Sequence, residues 1–143
     1  MKKIYVNEKW CLGCHLCEYF CVYANSGISD MTEAIKNKPF VPRVNVECAE
    51  NSTFAVNCRQ CENPICVSAC ISGALSKNDD GIITVDKSKC VGCGSCVMVC
   101  PFGAISVDGN GVANKCELCF SNSFGSPLCV THCPNNAIVF EER

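Results

Sequence analysis

Histidine is nearly missing from this chain of 143 residues, with two copies, and tryptophan occurs once. No stretch approaches the roughly twenty consecutive apolar residues that a membrane-spanning helix needs, and no twin-arginine pair occurs. The opening MKKIYVNEKW holds lysines but no apolar segment of the kind that directs export. A cytoplasmic protein without direct membrane insertion is therefore expected. Charge of one sign is also lacking: the formal net charge is -2, which offers no broad field to attract nucleic acid. P-loop, glycine-rich dinucleotide and C-x3-C-x2-C patterns are all absent. With only two histidines, general acid–base catalysis has few candidate groups.

What is abundant is cysteine, with 17 copies that form four groups of four and one left over. The first group is Cys11, Cys14, Cys17 and Cys21, and the third is Cys90, Cys93, Cys96 and Cys100 followed by Pro101. Both carry the C-x2-C-x2-C-x3-C spacing of bacterial [4Fe-4S] ligands, in which the fourth cysteine serves a neighbouring cube. In the second group, Cys58, Cys61, Cys66 and Cys70, the middle gap widens to four residues, and in the fourth, Cys116, Cys119, Cys129 and Cys133, to nine. Four complete groups imply four [4Fe-4S] clusters in two pairs. Structural zinc, the usual rival for a C-x2-C pair, does not suit a third cysteine two residues on and a fourth three beyond. An odd count and such close spacing equally disfavour a disulfide framework.

The hydrophobic fraction of 48% includes the cysteines, so the ordinary apolar share is nearer 36%. A core that thin needs staples, which bound clusters supply because their binding free energy is also folding free energy.

A short unit recurs three times: a fourth cysteine, a tight turn and a strand. The turns are Gly73-Ala74, Gly103-Ala104 and Asn136-Ala137, each followed by apolar residues expected to pack beneath a cluster. Ile82 to Val85 reads as a hairpin return strand after Asn78-Asp79-Asp80-Gly81, and Gly103 to Ala113 repeats that plan. Nineteen residues separate Cys70 from Cys90, which favours pairing groups two and three and leaves one with four. Pairing one with two and three with four is the alternative. Residues 22–55 break the repeat, with a short helix expected from Asp30 to Lys36 and a strand from Val41 to Val46. Ser121 to Pro127 is expected to project as a loop suited to docking.

Several single residues also bear on the centres. Cys48, the leftover thiol, is expected to be a small buried hydrophobe, and Trp10 an apolar lid over a cluster. His15 and His132 are expected to face solvent from loops. Lys9, Lys89 and Lys115 lie just ahead of a first cysteine, where a cation either favours an electron-rich centre or is ordinary surface charge.

With these groups in place, the chain resembles the four-cluster ferredoxin-like electron-transfer subunits of molybdenum oxidoreductases, formate dehydrogenases and hydrogenases. The run from Cys11 to Glu18 with Ala24-Asn25-Ser26-Gly27, then Cys58 to Pro64 and Lys115 to Cys119, is most similar to the CooF-like partners of nickel carbon monoxide dehydrogenase. The resemblance implies an outer cluster on Cys11, Cys14, Cys17 and Cys133, and a second on Cys116, Cys119, Cys129 and Cys21. It implies inner clusters on Cys58, Cys61, Cys66 with Cys100, and on Cys90, Cys93, Cys96 with Cys70. The expected fold is α+β: two pseudo-symmetric ferredoxin-like modules of short hairpins and short helices, plus an insertion. The outer module takes residues 1–21 and 108–143, the insertion 22–55, and the inner module 56–107.

The expected function is electron relay from carbon monoxide dehydrogenase to a hydrogenase or a flavin-dependent NAD(P) reductase, without a substrate site of its own. The alternatives are a formate dehydrogenase or hydrogenase subunit and a freely diffusing polyferredoxin, though a carrier usually presents a more acidic surface than a net -2 supplies. A catalytic iron–sulfur enzyme needs an open iron position, and no cysteine is missing from any group. If clusters staple so thin a core, the cluster-free chain is largely unfolded. Its circular dichroism is expected to lack native structure, and a native spectrum refutes the staple role.

Overall fold

The computed structural model describes residues 1–36, 39–122 and 124–143. The described residues form four two-stranded antiparallel sheets and five short helices. In order they are β1 (Lys3–Val6), α1 (Leu16–Ser26), α2 (Met31–Lys36), β2 (Asn45–Ala49), β3 (Ser52–Val56), α3 (Ile65–Ala69), β4 (Leu75–Lys77), β5 (Ile83–Val85), α4 (Ser95–Val99), β6 (Ile105–Val107), β7 (Ala113–Lys115), α5 (Leu128–Thr131) and β8 (Ile138–Glu141). This is the expected α+β content. Among the described residues no helix is long and apolar enough to cross a membrane.

The first and last strands pair with each other, Ile4 opposite Phe140 and Val6 opposite Ile138, while the other sheets are local hairpins. Helices α3, α4 and α5 span only four or five residues. Helices so short are unstable alone. They persist because each turns a cysteine inward: Cys66, Cys96 and Cys129 are all buried.

The threefold repeat is visible as a threefold burial pattern. Gly73, Gly103 and Asn136 take φ of 70, 61 and 50°, the left-handed region where glycine and asparagine are least strained. The alanine and the apolar residue that follow each of them are buried: Ala74 with Leu75, Ala104 with Ile105, and Ala137 with Ile138.

Two apolar clusters form the interior. One gathers Ile4, Cys17, Cys21, Val44, Ala55, Leu118, Cys129 and Ile138, and the other Cys66, Leu75, Ile83, Cys96, Ile105 and Ala113. The β6–β7 hairpin straddles residue 108, and Ala113 packs in the second cluster. Val44 and Ala55, from the segment expected as an insertion, belong to the first.

The segment 22–55 otherwise follows the expectation in part. Helix α2 starts one residue after Asp30, whose carboxylate caps it by accepting the N–H groups of Thr32 (2.8 Å) and Glu33 (3.3 Å). The strand expected at Val41–Val46 begins only at Asn45. Pro42 has no N–H to donate, and the carbonyls of Val41 and Pro42 accept the Asn114 side-chain amide instead of a strand neighbour. Residues 37 and 38 lie outside the described residues, as does Ser123 in the expected docking loop. Within that loop Phe124 is exposed, and at its end Pro127 is fully buried.

Because Ile138 is buried where the chain's two ends meet, Ile138→Ala is expected to cost about 2–5 kcal/mol. Ile71→Ala, at an exposed position, is expected to stay within about 0.5 kcal/mol. Denaturant midpoints of the iron-loaded protein check both, and equal midpoints for the two variants refute the packing assignment.

Candidate metal centres

The leading C-x2-C loops of the four groups share one backbone device. The residue just before the second cysteine has a left-handed φ in each: Gly13 (68°), Gln60 (47°), Gly92 (72°) and Leu118 (55°). Such a residue reverses the chain locally and turns both flanking sulfurs to one side. Glycine does this without strain. Gln60 and Leu118 are held there by burial, at 1% and 6% exposure. Gly92 also rests on the β6–β7 turn, where a Cβ would sit 2.5 Å from the Gly111 carbonyl oxygen.

The loops and helices bring cysteines distant in sequence around shared cavities. One cavity is lined by Cys70, Cys90, Cys93 and Cys96 together with Leu75, Val97 and Ala113. A second is lined by Cys21, Cys116, Cys119 and Cys129 together with Ile4, Val44 and Ile138. In each, three cysteines come from one sequence group and one from another. Of the remaining eight, Cys17 lies within electrostatic reach of Cys14 and Cys11, and Cys66 within reach of Cys58 and Cys100. Cys133 packs against the first apolar cluster, and its loop is tied to group one where Asn135 donates to the Trp10 carbonyl at 2.7 Å. Cys61 is half-buried in its loop. Among the described residues no three histidine, cysteine, aspartate or glutamate side chains converge as ligands of a single ion.

Backbone and side-chain N–H groups point at several sulfurs. Cys21 accepts from the Arg43 N–H at 3.2 Å and the Asn25 amide at 3.7 Å. Cys90, Cys116 and Cys133 accept from the N–H groups of Ala113 (3.4 Å), Leu118 (3.4 Å) and Ala137 (3.3 Å). Such donors favour the thiolate that binds metal. Asn25, one helical turn beyond Cys21, was legible in principle as its neighbour. Arg43 carried no sequence signal, because the contact spans 22 residues.

Burial opposes ionisation at six of the thiols. It pushes Cys17 and Cys116 up to about 12 and also raises Cys21, Cys66, Cys96 and Cys129. At Cys70 burial acts the same way, but donors from Leu75, Ser72 and Ala74 outweigh it and bring the thiol down to about 7. The Ser95 hydroxyl lowers Cys93.

The single residues sort unevenly. Cys48 is exposed on β2, not buried, because it lies towards the turn of the β2–β3 hairpin, two residues beyond Val46, which packs against the first apolar cluster on the same face. Trp10 is 54% exposed. His15 pairs with Glu18 at 2.9 Å, and His132 stacks on Phe20 with ring centroids 3.8 Å apart. Lys9 and Lys89 are exposed, whereas Lys115 is 1% exposed and donates to the carbonyls of Ile83 (2.5 Å) and Cys116 (2.7 Å). Gln60 and Glu117, also buried, join the same junction: Gln60 bridges the Ile83 N–H and the Cys116 carbonyl, and Glu117 accepts from Val85 and Arg43.

The model of the 4Fe-4S dicluster domain matches residues 49–143. The chain belongs to this family. An iron-sulfur protein of Rhodospirillum rubrum is 42% identical over 94% of this chain and 79% of its own length. The electron transport protein HydN of Escherichia coli K12 is 35% identical over 93% and 83%, and the thiosulfate reductase electron transfer subunit PhsB of Salmonella typhi 36% over 94% and 72%. The family match contains groups two, three and four. These relatives extend the likeness across nearly the whole chain.

The pH response of the iron-free chain follows from the raised thiols. Cys17 and Cys116 have an ordinary value of 9.0 and a folded value of about 12, so the protonated thiol favours the fold. That contribution is complete below pH 9 and is lost as pH rises towards 12. Cys70, lowered to about 7, acts oppositely between pH 9 and 7. Whatever folded population the iron-free protein retains is expected to shrink above pH 9, followed by circular dichroism, and a population that grows there contradicts the burial assigned to these thiols.

Proposed function

We propose that this chain is an electron-transfer subunit that holds four [4Fe-4S] clusters and has no substrate site of its own. The observation that carries the reading is the make-up of the two cysteine-lined cavities, each with three thiols from one group and a fourth from a distant one. Thiols spread around an apolar cavity suit a polyatomic iron–sulfur cube better than one ion. Bound cubes supply reversible one-electron transfer.

The ligand sets in this reading are Cys11, Cys14, Cys17 and Cys133; Cys21, Cys116, Cys119 and Cys129; Cys58, Cys61, Cys66 and Cys100; and Cys70, Cys90, Cys93 and Cys96. Their order in space is supported by shared elements. Helix α1 carries Cys17 for the first set and Cys21 for the second, and the α5 segment carries Cys133 and Cys129 for the same two. The α3 and α4 segments link the third and fourth sets in the same way. Cys116 lies within electrostatic reach of Cys58, which joins the second set to the third. The exposed thiols Cys14 and Cys93 belong to the two end sets. An arrangement of two exposed ends and a buried middle suits relay between a donor and an acceptor. We draw the two modules along the two apolar clusters, with β7 on the inner side.

For the partner, the opening cysteine run and the segment at Lys115–Cys119 favour a carbon monoxide dehydrogenase as donor, with a hydrogenase or a flavin-dependent NAD(P) reductase as acceptor, in the cytoplasm. The names of HydN and PhsB make other oxidoreductase systems the alternative. Anaerobic co-purification decides between them: a nickel-containing partner is expected, and a molybdenum-containing one replaces the first assignment.

The number of clusters is tested by elemental analysis of anaerobically purified protein. About sixteen irons per chain are expected. About eight reduces the reading to a two-cluster protein, and abundant zinc ends it. Cys129→Ser is expected to remove about one cluster and to leave the signals of the set around Cys93 intact.

A further inference from the structure

Lys115 is among the least exposed side chains of the molecule, at 1%. Its Nζ donates to two carbonyl oxygens, Ile83 and Cys116, and among the described residues no carboxylate pairs with it. Burying an ammonium without an anion is strongly unfavourable. A neutral donor could satisfy the same carbonyls at lower cost, so hydrogen bonding alone does not account for a lysine. The groups its charge acts on are thiols of the two middle sets, Cys66 and Cys116.

Among the described residues no other cation is placed like this. Lys9 and Lys89, beside the end sets, are exposed, and water and salt weaken their fields. Arg43 borders Cys21, but its guanidinium is answered by Glu117 at 3.2 Å.

We propose that Lys115 is a buried counter-charge to the two middle cysteine-ligated centres, raising their reduction potentials relative to the two end centres. The inference rests on the ligand sets proposed above. Four thiolates around an iron–sulfur cube leave the site anionic, and each added electron makes it more so. A fixed cation in a medium of low polarity favours that electron. Lys115 thus makes the middle of the row the place where electrons rest, with the exposed ends at lower potential.

The test is a redox titration of the intact iron-loaded protein followed by electron paramagnetic resonance. Lys115→Met deletes the charge and keeps most of the volume, and Lys115→Gln also keeps a donor. In either variant, one or two of the four midpoints are expected to fall so that the reduced-to-oxidised ratio at fixed potential drops at least tenfold, about 59 mV for one electron. Lys115→Arg is expected to leave all four midpoints near wild type. Unchanged midpoints in a charge-deleted variant with full iron overturn the inference and leave the four-cluster reading standing. A wild-type protein short of iron overturns both. If Met and Gln variants both fail to hold iron while the Arg variant loads normally, the charge is required beside the anionic centres and the inference holds. Failure of all three to load assigns Lys115 a packing role instead.

Discussion

In the proposed ligand sets each of four helical segments sends two cysteines, four residues apart, to two different thiol sets, and the rest of the structure is organised around that constraint. Cys17 and Cys21, Cys66 and Cys70, Cys96 and Cys100, and Cys129 and Cys133 are the four pairs. In the α3 and α4 segments the second cysteine sits at the helix end in extended backbone, with ψ of 108 and 114°, so the chain leaves the helix where the sulfur must be redirected. The helices are short because their work is done once two thiols are aimed. Their stability comes from tertiary packing and from whatever the thiols bind, not from helix propensity.

The junction between the two apolar clusters is polar, buried and almost fully bonded. Strand β7 contributes Asn114 and Lys115, and the residues just beyond and across from it contribute Glu117 and Gln60, all at 9% exposure or less. Asn114 holds the carbonyls of Val41 and Pro42, Gln60 and Lys115 hold the backbone of Ile83, and Glu117 ties Arg43 to Val85. Buried polar groups that are all partnered fix a geometry more sharply than apolar contacts do, because any slippage leaves a donor or acceptor unpaired. The two halves are thereby held in one register where their neighbouring thiol sets approach. The proposed relay needs its centres at constant separation, which a junction bonded in this way favours.

The regularity of the cysteine code made much of this readable in advance. The groups, the turn-and-strand repeat, the α2 helix and the two hairpins all follow from local rules of spacing and turn chemistry, which act over a few residues. What went astray shares one cause. Val41–Val46 has strand-like composition, yet the Asn114 amide takes its carbonyls from more than 70 residues away. Cys48 is of a residue type that usually lies inside, and it is exposed because it lies towards the turn of its hairpin, beyond Val46. Lys115 has the sequence context of a surface lysine, and only the closure of β5 against β7 and the Gln60 loop shuts it away from water.

By itself, the amino-acid sequence determined which residues carry sulfur, how they are grouped and where the chain must turn, since those depend on spacing along a continuous backbone. Only the tertiary structure decided which group lends its fourth thiol to which cavity, which thiols reach the surface and where a lysine is buried without a carboxylate. Those are properties of elements distant in sequence meeting in space, and their energies arise from exclusion of water that no local pattern encodes.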